Sequence, residues 1–187
     1  MLLGTTDKSR WAYAASKMID EFLGLAYVRE YGLEVIPFRL FNTVGPRQTG
    51  HYGMVIPRMM RQALKGETIT VFGDGKQSRC FCDVADVIRA LIGLAGHAKA
   101  PGILFNIGSN EEVSILALAE RIKALANSRS NIVLLPYDQA YGPGFEDMQR
   151  RVPCTNRIHA LLGWRTTFGL DEILIRIRDW TMTTLDN

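Results

Sequence analysis

A chain of 187 residues with 47% hydrophobic and 22% charged residues has the length and balance of a globular protein with a sizeable core. Its net charge of +3 is too small to argue for a nucleic-acid partner, and no apolar run is long enough to span a membrane. Three cysteines, Cys80, Cys82 and Cys154, follow an opening stretch without the apolar core of a secretory signal, which favours reduced thiols and a cytoplasmic protein.

Hydrophobic period sets the expected elements. Trp11, Ala15, Met18, Ile19, Phe22 and Ala26 recur at helical spacing and predict a long amphipathic helix over 10–31, ended at Gly32. "LEVIPFRLFN" (33–42) predicts a buried strand, in which Pro37 is awkward. "TVGPRQTGHYG" (43–53) reads as a glycine-rich loop. A helix over 55–66 follows, with Pro57 in its first turn. "TITVFGDGKQSRCFC" (68–82) predicts two strands around a tight turn at Asp74-Gly75.

Asp83 and Asp86 then open a helix over 83–96, as capping and dipole-facing carboxylates. A strand over 103–108 leads to a helix over 114–127 with Ser114 as its N-cap. A strand over 131–136 precedes an irregular polar stretch, 137–153, holding Gly142, Pro143 and Gly144. A short helix over 155–164 and a last one over 170–185 complete the chain. Strands alternate with helices, which predicts α/β architecture. No repeat, GxGxxG turn or P-loop lysine occurs.

Tyr13 and Lys17 are four residues apart on the first helix, so they share a face. A phenol titrates near pH 10 in water, and an ammonium beside it favours its anion. Such a pair can take a proton from an alcohol while hydride leaves the carbon. A tyrosine and a solvated lysine also occur at this spacing without any such role. Arginines offer planar forks to phosphate oxygens, but Arg58 and Arg61 on a helix read first as a solvated face, and Arg39 as a partner for a carboxylate. His51, His97 and His159 have no metal-ligand spacing. Cys80 and Cys82 read as small buried residues.

Several stretches occur together and in order: "YAASK" (13–17) on a long helix, "RLFNTVGPRQ" (39–48), "VFGDGKQSRCFCDVADV" (71–87), "NIGSNEEVSILALAERI" (106–122) and "GFEDMQRRVPCTNRIHALLGW" (144–164). Jointly they resemble the extended short-chain dehydrogenase/reductase family, the NAD-dependent nucleotide-sugar epimerases, dehydratases and decarboxylases. Members like UDP-glucose 4-epimerase and UDP-glucuronate decarboxylase are nearest in style. The resemblance implies the C-terminal part of a Rossmann-like doubly wound parallel sheet plus a small α/β substrate-binding domain. The N-terminal nucleotide-binding half is then expected to be absent. Residues 1–50 would be a remnant of the dinucleotide-binding domain, and 51–187 mainly the nucleotide-sugar region, with segments about 78–107 returning to the Rossmann sheet.

The resemblance also implies roles. Tyr13 is the proton acceptor, and Lys17 supports it and holds the nicotinamide ribose. Phe41, Asn42 and Val44 join them around NAD. Asn42, Val55, Ile56, Val71, Phe72, Gln77, Arg79 and Arg150 surround the nucleotide sugar, a UDP-sugar, with Arg79 and one of Arg150 and Arg151 on the diphosphate. No metal is expected. The implied activity is 4-epimerisation through transient C4 oxidation. Alternatives are UDP-glucuronate decarboxylation, 4,6-dehydration, or sugar-nucleotide binding without catalysis. A homo-oligomer is expected, with no nucleic-acid or membrane partner. Cys154 stands where relatives often carry aspartate, and Asp83 where an aromatic or histidine is common.

Overall fold

The computed structural model describes residues 4–6, 10–50, 54–141 and 147–185; His51, Gly142, Pro143 and Gly144 therefore lie outside the described residues. In chain order the elements are α1 (Arg10–Tyr31), β1 (Phe38–Leu40), β2 (Thr43–Val44), α2 (Val55–Lys65), β3 (Ile69–Phe72), β4 (Ser78–Cys80), β5 (Cys82–Asp83) and α3 (Val84–Ala95). There follow β6 (Phe105–Ile107), β7 (Glu112–Ser114), α4 (Ile115–Leu125), β8 (Ile132–Leu135), α5 (Tyr137–Tyr141), β9 (Arg150–Arg151), α6 (Asn156–Leu162) and α7 (Leu170–Leu185). The expected α/β class holds. Among the described residues four strand pairs are parallel: β1 with β6, β2 with β5, β3 with β8 and β4 with β9. A three-stranded sheet, β7-β4-β9, is mixed.

Local chemistry explains where helices start and stop. The Asp83 carboxylate accepts from the Ala85 N–H and caps α3, and the Ser114 hydroxyl accepts from the Ala117 N–H and caps α4. Gly66 ends α2 in the left-handed region at φ 69°, where it and Glu67 close onto the Ala63 and Gln62 carbonyls. Along α2, Ile56, Met59, Met60 and Ala63 fall on one face and are buried. Each of the three larger side chains contributes about 1.5–3 kcal/mol by leaving water.

Two cores result. One gathers α2, α4 and α7 over β3, with Ile56, Met59, Ile69, Leu118, Ile122 and Ile173. The other joins α3 and α6 to β6 through Val87, Leu94, Phe105, Ile107, Ile158 and Trp164. Among the described residues no helix is long and apolar enough to cross a membrane.

Three expectations need correction. The strand expected over 33–42 is only β1, and it is not buried: Phe38 and Leu40 are 43% and 39% exposed. Pro37 has no N–H for a ladder, and Arg39 turns toward α1 to give Glu21 a two-donor fork at 2.6 Å. Strand alternation then sends Phe38 and Leu40 to the other face.

The two strands around Asp74-Gly75 exist, but they do not pair with each other. Gly73 at φ 74° and Gly75 at φ 72° carry the chain from one sheet to another. The Gly73 N–H donates to the Leu135 carbonyl at the end of β8, while the Gly75 carbonyl accepts from the Leu116 N–H in α4. Finally, the stretch expected to be irregular, 137–153, holds α5 and β9. Strand β7 lies outside every expected strand.

Candidate functional site

A cavity of about 200 Å³ opens where α2, the ends of β3 and β4, and the β1–β2 junction meet. Asn42 enters it from the β1–β2 junction with a left-handed backbone, φ 35°, which asparagine tolerates better than most residues. Its side-chain amide donates to the Cys80 carbonyl at 2.8 Å, and its own carbonyl accepts from Cys82 N–H at 3.2 Å. Val55 and Arg58 come from the first turn of α2, one turn apart. The Arg58 guanidinium lies 4.2 Å above the Phe72 ring and donates to the Thr70 carbonyl at 2.8 Å and to the Thr70 hydroxyl.

Gln77 is 4% exposed and donates Nε2–H to the Phe72 carbonyl at 2.7 Å; its Oε1 meets no hydrogen-bond partner among the described residues. Arg79 donates through Nη1 to the carbonyls of Ser78 and Met148, both at 2.7 Å, and through Nη2 to Asp147 at 2.8 Å. Tyr137 donates to the other Asp147 oxygen at 3.0 Å. The cavity thus combines two guanidiniums, one carboxylate, two amides and the aromatic faces of Phe72 and Phe81. Donors outnumber acceptors, which suits an anion with an attached flat ring.

Tyr13 and Lys17 stand on α1, away from the cavity lining. Tyr13 is 72% exposed, so its hydroxyl is open to a ligand rather than sealed in hydrocarbon. The Lys17 ammonium lies 5.9 Å from the Tyr13 ring centre. It also meets Asp20 at 2.8 Å. The hydrogen bond and charge of Asp20, with a smaller contribution from Tyr13, raise the Lys17 ammonium above its ordinary value, so it keeps its charge.

A profile of the NAD dependent epimerase/dehydratase family matches residues 2–108. The chain belongs to this family. It is 39% identical over 180 residues to a UDP-N-acetyl-alpha-D-glucosaminuronate decarboxylase of Bacillus cytotoxicus, covering 96% of this chain and 56% of that protein. It is 37% identical to UDP-glucuronic acid decarboxylase 1 of Danio rerio, covering 87% and 37%. The chain therefore spans about half the length, or less, of the curated relatives it matches. Among solved structures, a UDP-glucose 4-epimerase with UDP-glucose from Thermotoga maritima superposes with a TM-score of 0.78 at 29% identity, over 92% of this chain and 52% of that one. A UDP-glucuronic acid 4-epimerase from Bacillus cereus, at 24% identity and a TM-score of 0.83, shares the fold.

In this epimerase/dehydratase-family chain the expected binding residues are divided between the cavity and the core. Asn42, Val55, Phe72, Gln77 and Arg79 come together at the cavity. Ile56 and Val71, each next to a lining residue, point the other way and are fully buried in the core. Val44 is buried in the same core. Phe41 is half-buried behind Gly108, where an added Cβ would stand 2.7 Å from the Phe41 Cβ.

Arg150 gives Glu112 a two-donor fork at 2.9–3.1 Å on the outer face of the β7-β4-β9 sheet. The neighbouring Arg151 pairs in register with Arg79, shares its face, and sits 5.1 Å from the Phe41 ring. Sequence reasoning read Arg58 as part of a solvated helix face and did not single out Tyr137 or Asp147. For Arg58 a signal existed, since it is one turn after Val55 on the same helix face. For Tyr137 and Asp147 no local signal existed.

The expected small-residue reading of Cys80 and Cys82 fits their burial, which pushes their thiols up to about 11 and about 12. Neither thiol is a nucleophile at neutral pH. Among the described residues no three potential metal ligands stand together.

Proposed function

We propose that the protein containing this chain oxidises C4 of a UDP-linked uronic acid, with loss of the C5 carboxylate as carbon dioxide. The observation that carries this reading is the pairing of an exposed Tyr13–Lys17 turn with a cavity built around Arg79. Names of relatives at 37–39% identity favour decarboxylation. The 4-epimerase relationship supports the second outcome, in which the 4-keto sugar turns over and is reduced on its other face.

The residues present fit NAD. Tyr13 offers an exposed hydroxyl and Lys17 a retained positive charge on one helical face; bound NAD supplies the hydride acceptor. Tyr13 takes the proton from the C4 hydroxyl as that carbon is oxidised. Lys17 balances the phenolate charge and holds a ribose hydroxyl. The ketone at C4 lies β to the carboxylate, so carbon dioxide leaves with its bonding electrons kept as an enolate. C5, the carbon that lost the carboxylate, takes a proton from solvent, and Tyr13 returns its proton to the C4 oxygen when C4 is reduced.

Asn42 and the half-buried Phe41 stand on the nicotinamide side of this reading, and Val44, buried in the core, supports them from behind. Arg79 meets the diphosphate, with Arg151 beside it on the same sheet face rather than Arg150. Val55, Phe72 and Gln77 surround the nucleotide base. In the same reading residues 1–50 belong to the dinucleotide-binding part and 51–187 mainly to the substrate part. The buried, reduced Cys80 and Cys82 suit a cytoplasmic location.

Calorimetric titration with UDP tests the assignment. Arg79→Gln is expected to weaken UDP binding about 10–100-fold, as the loss of a charge-assisted hydrogen bond implies. Unchanged affinity overturns it.

The outer face of α1 supports self-association. Ile19, Phe22, Leu23, Tyr27 and Tyr31 leave an apolar face of this helix uncovered, each being about half exposed or more. A second copy covers this stripe in our reading. Light scattering is expected to show a dimer that Phe22→Glu dissociates; a wild-type monomer at every concentration overturns this.

A further inference from the structure

The lining of the cavity raises a question of charge. If Arg79 binds a diphosphate, a carboxylate against it is an obstacle unless it does something for the guanidinium. The donor inventory shows what it does. Arg79 has five N–H donors. Both Nη1 hydrogens are taken, by the Ser78 and Met148 carbonyls, and one Nη2 hydrogen is taken by Asp147. That leaves Nε–H and one Nη2–H without a protein acceptor among the described residues. Nε–H and the Nη2–H beside it form one edge of a guanidinium. It is the edge that Arg39 gives to Glu21, and Arg150 to Glu112, as two-donor forks elsewhere in this chain.

Asp147 is itself fixed on both oxygens. Oδ1 accepts from its neighbour's backbone, Met148 N–H, at 2.8 Å, and Oδ2 accepts from the Tyr137 hydroxyl at 3.0 Å. Tyr137 is fixed in turn by Gly73, where a Cβ would stand 2.5 Å from the Tyr137 ring and the backbone is at φ 74°. A line of contacts therefore runs from the turn after β3, through Tyr137 and Asp147, to the guanidinium on β4. The Arg79 and Asp147 side chains are 12% and 19% exposed, so few alternative orientations remain to either. Burial, then the Asp147 charge, pushes the Tyr137 phenol far above its usual range, so the hydroxyl stays a donor throughout neutral pH.

We propose that Asp147, held by the Tyr137 hydroxyl, is a positioning residue that sets the Nε/Nη2 edge of Arg79 toward the cavity to receive one phosphate of a nucleoside diphosphate. The inference rests on the diphosphate reading given above. It adds that the fork is pre-set before the ligand arrives, so that little side-chain freedom is lost on binding.

The test is titration of the chain with UDP and with inorganic pyrophosphate, with melting curves to confirm folding. Asp147→Ala is expected to weaken both ligands about tenfold, whereas Asp147→Asn, which keeps an oxygen for the Nη2 hydrogen, stays within about threefold of wild type. Tyr137→Phe falls between them. Tighter binding by Asp147→Ala means that the carboxylate only repels the anion, and overturns the proposal. So does equal affinity, or equal loss in the Ala and Asn variants.

Should Asp147→Ala not fold, Tyr137→Phe decides, since unchanged affinity there overturns the proposal. Loss of binding in Arg79→Gln with none in Asp147→Ala removes the positioning role alone. Wild-type affinity in Arg79→Gln, or no binding by the wild type, removes the diphosphate reading with it.

Discussion

In a protein that oxidises C4 as proposed above, replacing Tyr13 by phenylalanine is expected to lower the rate of that step roughly 10²–10⁴-fold, the usual contribution of a positioned proton acceptor. The substitution removes one oxygen from a ring that is 72% exposed and packed by little else, so stability should hardly change. UDP affinity should change by less than about twofold, because Tyr13 does not line the Arg79 cavity. The measurement is the rate of carbon dioxide release from UDP-glucuronate in the presence of NAD, beside a UDP titration of the same variant. A phenylalanine variant that turns over at the wild-type rate removes Tyr13 from the chemistry. A variant that loses UDP binding in step with turnover shows instead a structural role for the start of α1.

Replacing Asp86 by alanine is expected to cost about 3–5 kcal/mol of stability, the range for breaking a buried charged network. Asp86 is fully buried on the first turn of α3. Its carboxylate accepts from the Thr167 hydroxyl at 2.6 Å, the Thr167 and Phe168 N–H groups at 2.9 and 3.2 Å, and Arg89 at 2.5 Å. Its backbone carbonyl accepts from the Trp164 indole at 3.1 Å. The residue ties the segment before α7 to α3. Alanine leaves several of those donors buried without an acceptor. For a chain of this size the melting temperature should fall by about 10 °C.

The same carboxylate gives a pH signature. Burial alone would raise its pKa, but the Thr167 hydroxyl, Arg89 and the two backbone N–H groups together outweigh it and hold the group below the usual carboxylate value. A group depressed in the folded state stabilises fully above its unfolded value of about 3.9, and that contribution fades as pH falls through the lower folded value. Wild-type stability should therefore drop on that acid limb, and the Asp86→Asn curve should be flatter there. Equal acid limbs in the two proteins would show that Asp86 is not a source of the pH dependence.

What could be read from residues alone was local. The period of Trp11, Met18 and Phe22 marked α1; Asp83 and Ser114 marked the starts of α3 and α4; Gly66 closed α2. Each depends on neighbours within a turn or two of helix, so spacing and residue type suffice. The Tyr13–Lys17 pair and the "FGDGKQSR" turn (72–79) belong to the same kind of information; both contributed to the family resemblance, and the turn holds three of the cavity-lining residues, Phe72, Gln77 and Arg79.

Partner choice was not local. The turn at Gly73–Gly75 looks like a hairpin because a turn does not encode which strand lies alongside; β3 instead pairs with β8 some sixty residues later, and β4 with β7 and β9. Arg58 has the sequence context of a solvated helix face, yet it reaches the cavity because β3 brings Phe72 beneath it. Arg150 and Arg151 are adjacent and chemically identical, so residue type cannot separate them. The parallel register of β9 on β4 does: it puts Arg151 beside Arg79 and leaves Arg150 to Glu112. Asp147 reaches Arg79 across sixty-eight residues of chain, and only folding decides such a meeting, because side-chain chemistry names a class of partner while long-range packing chooses the individual.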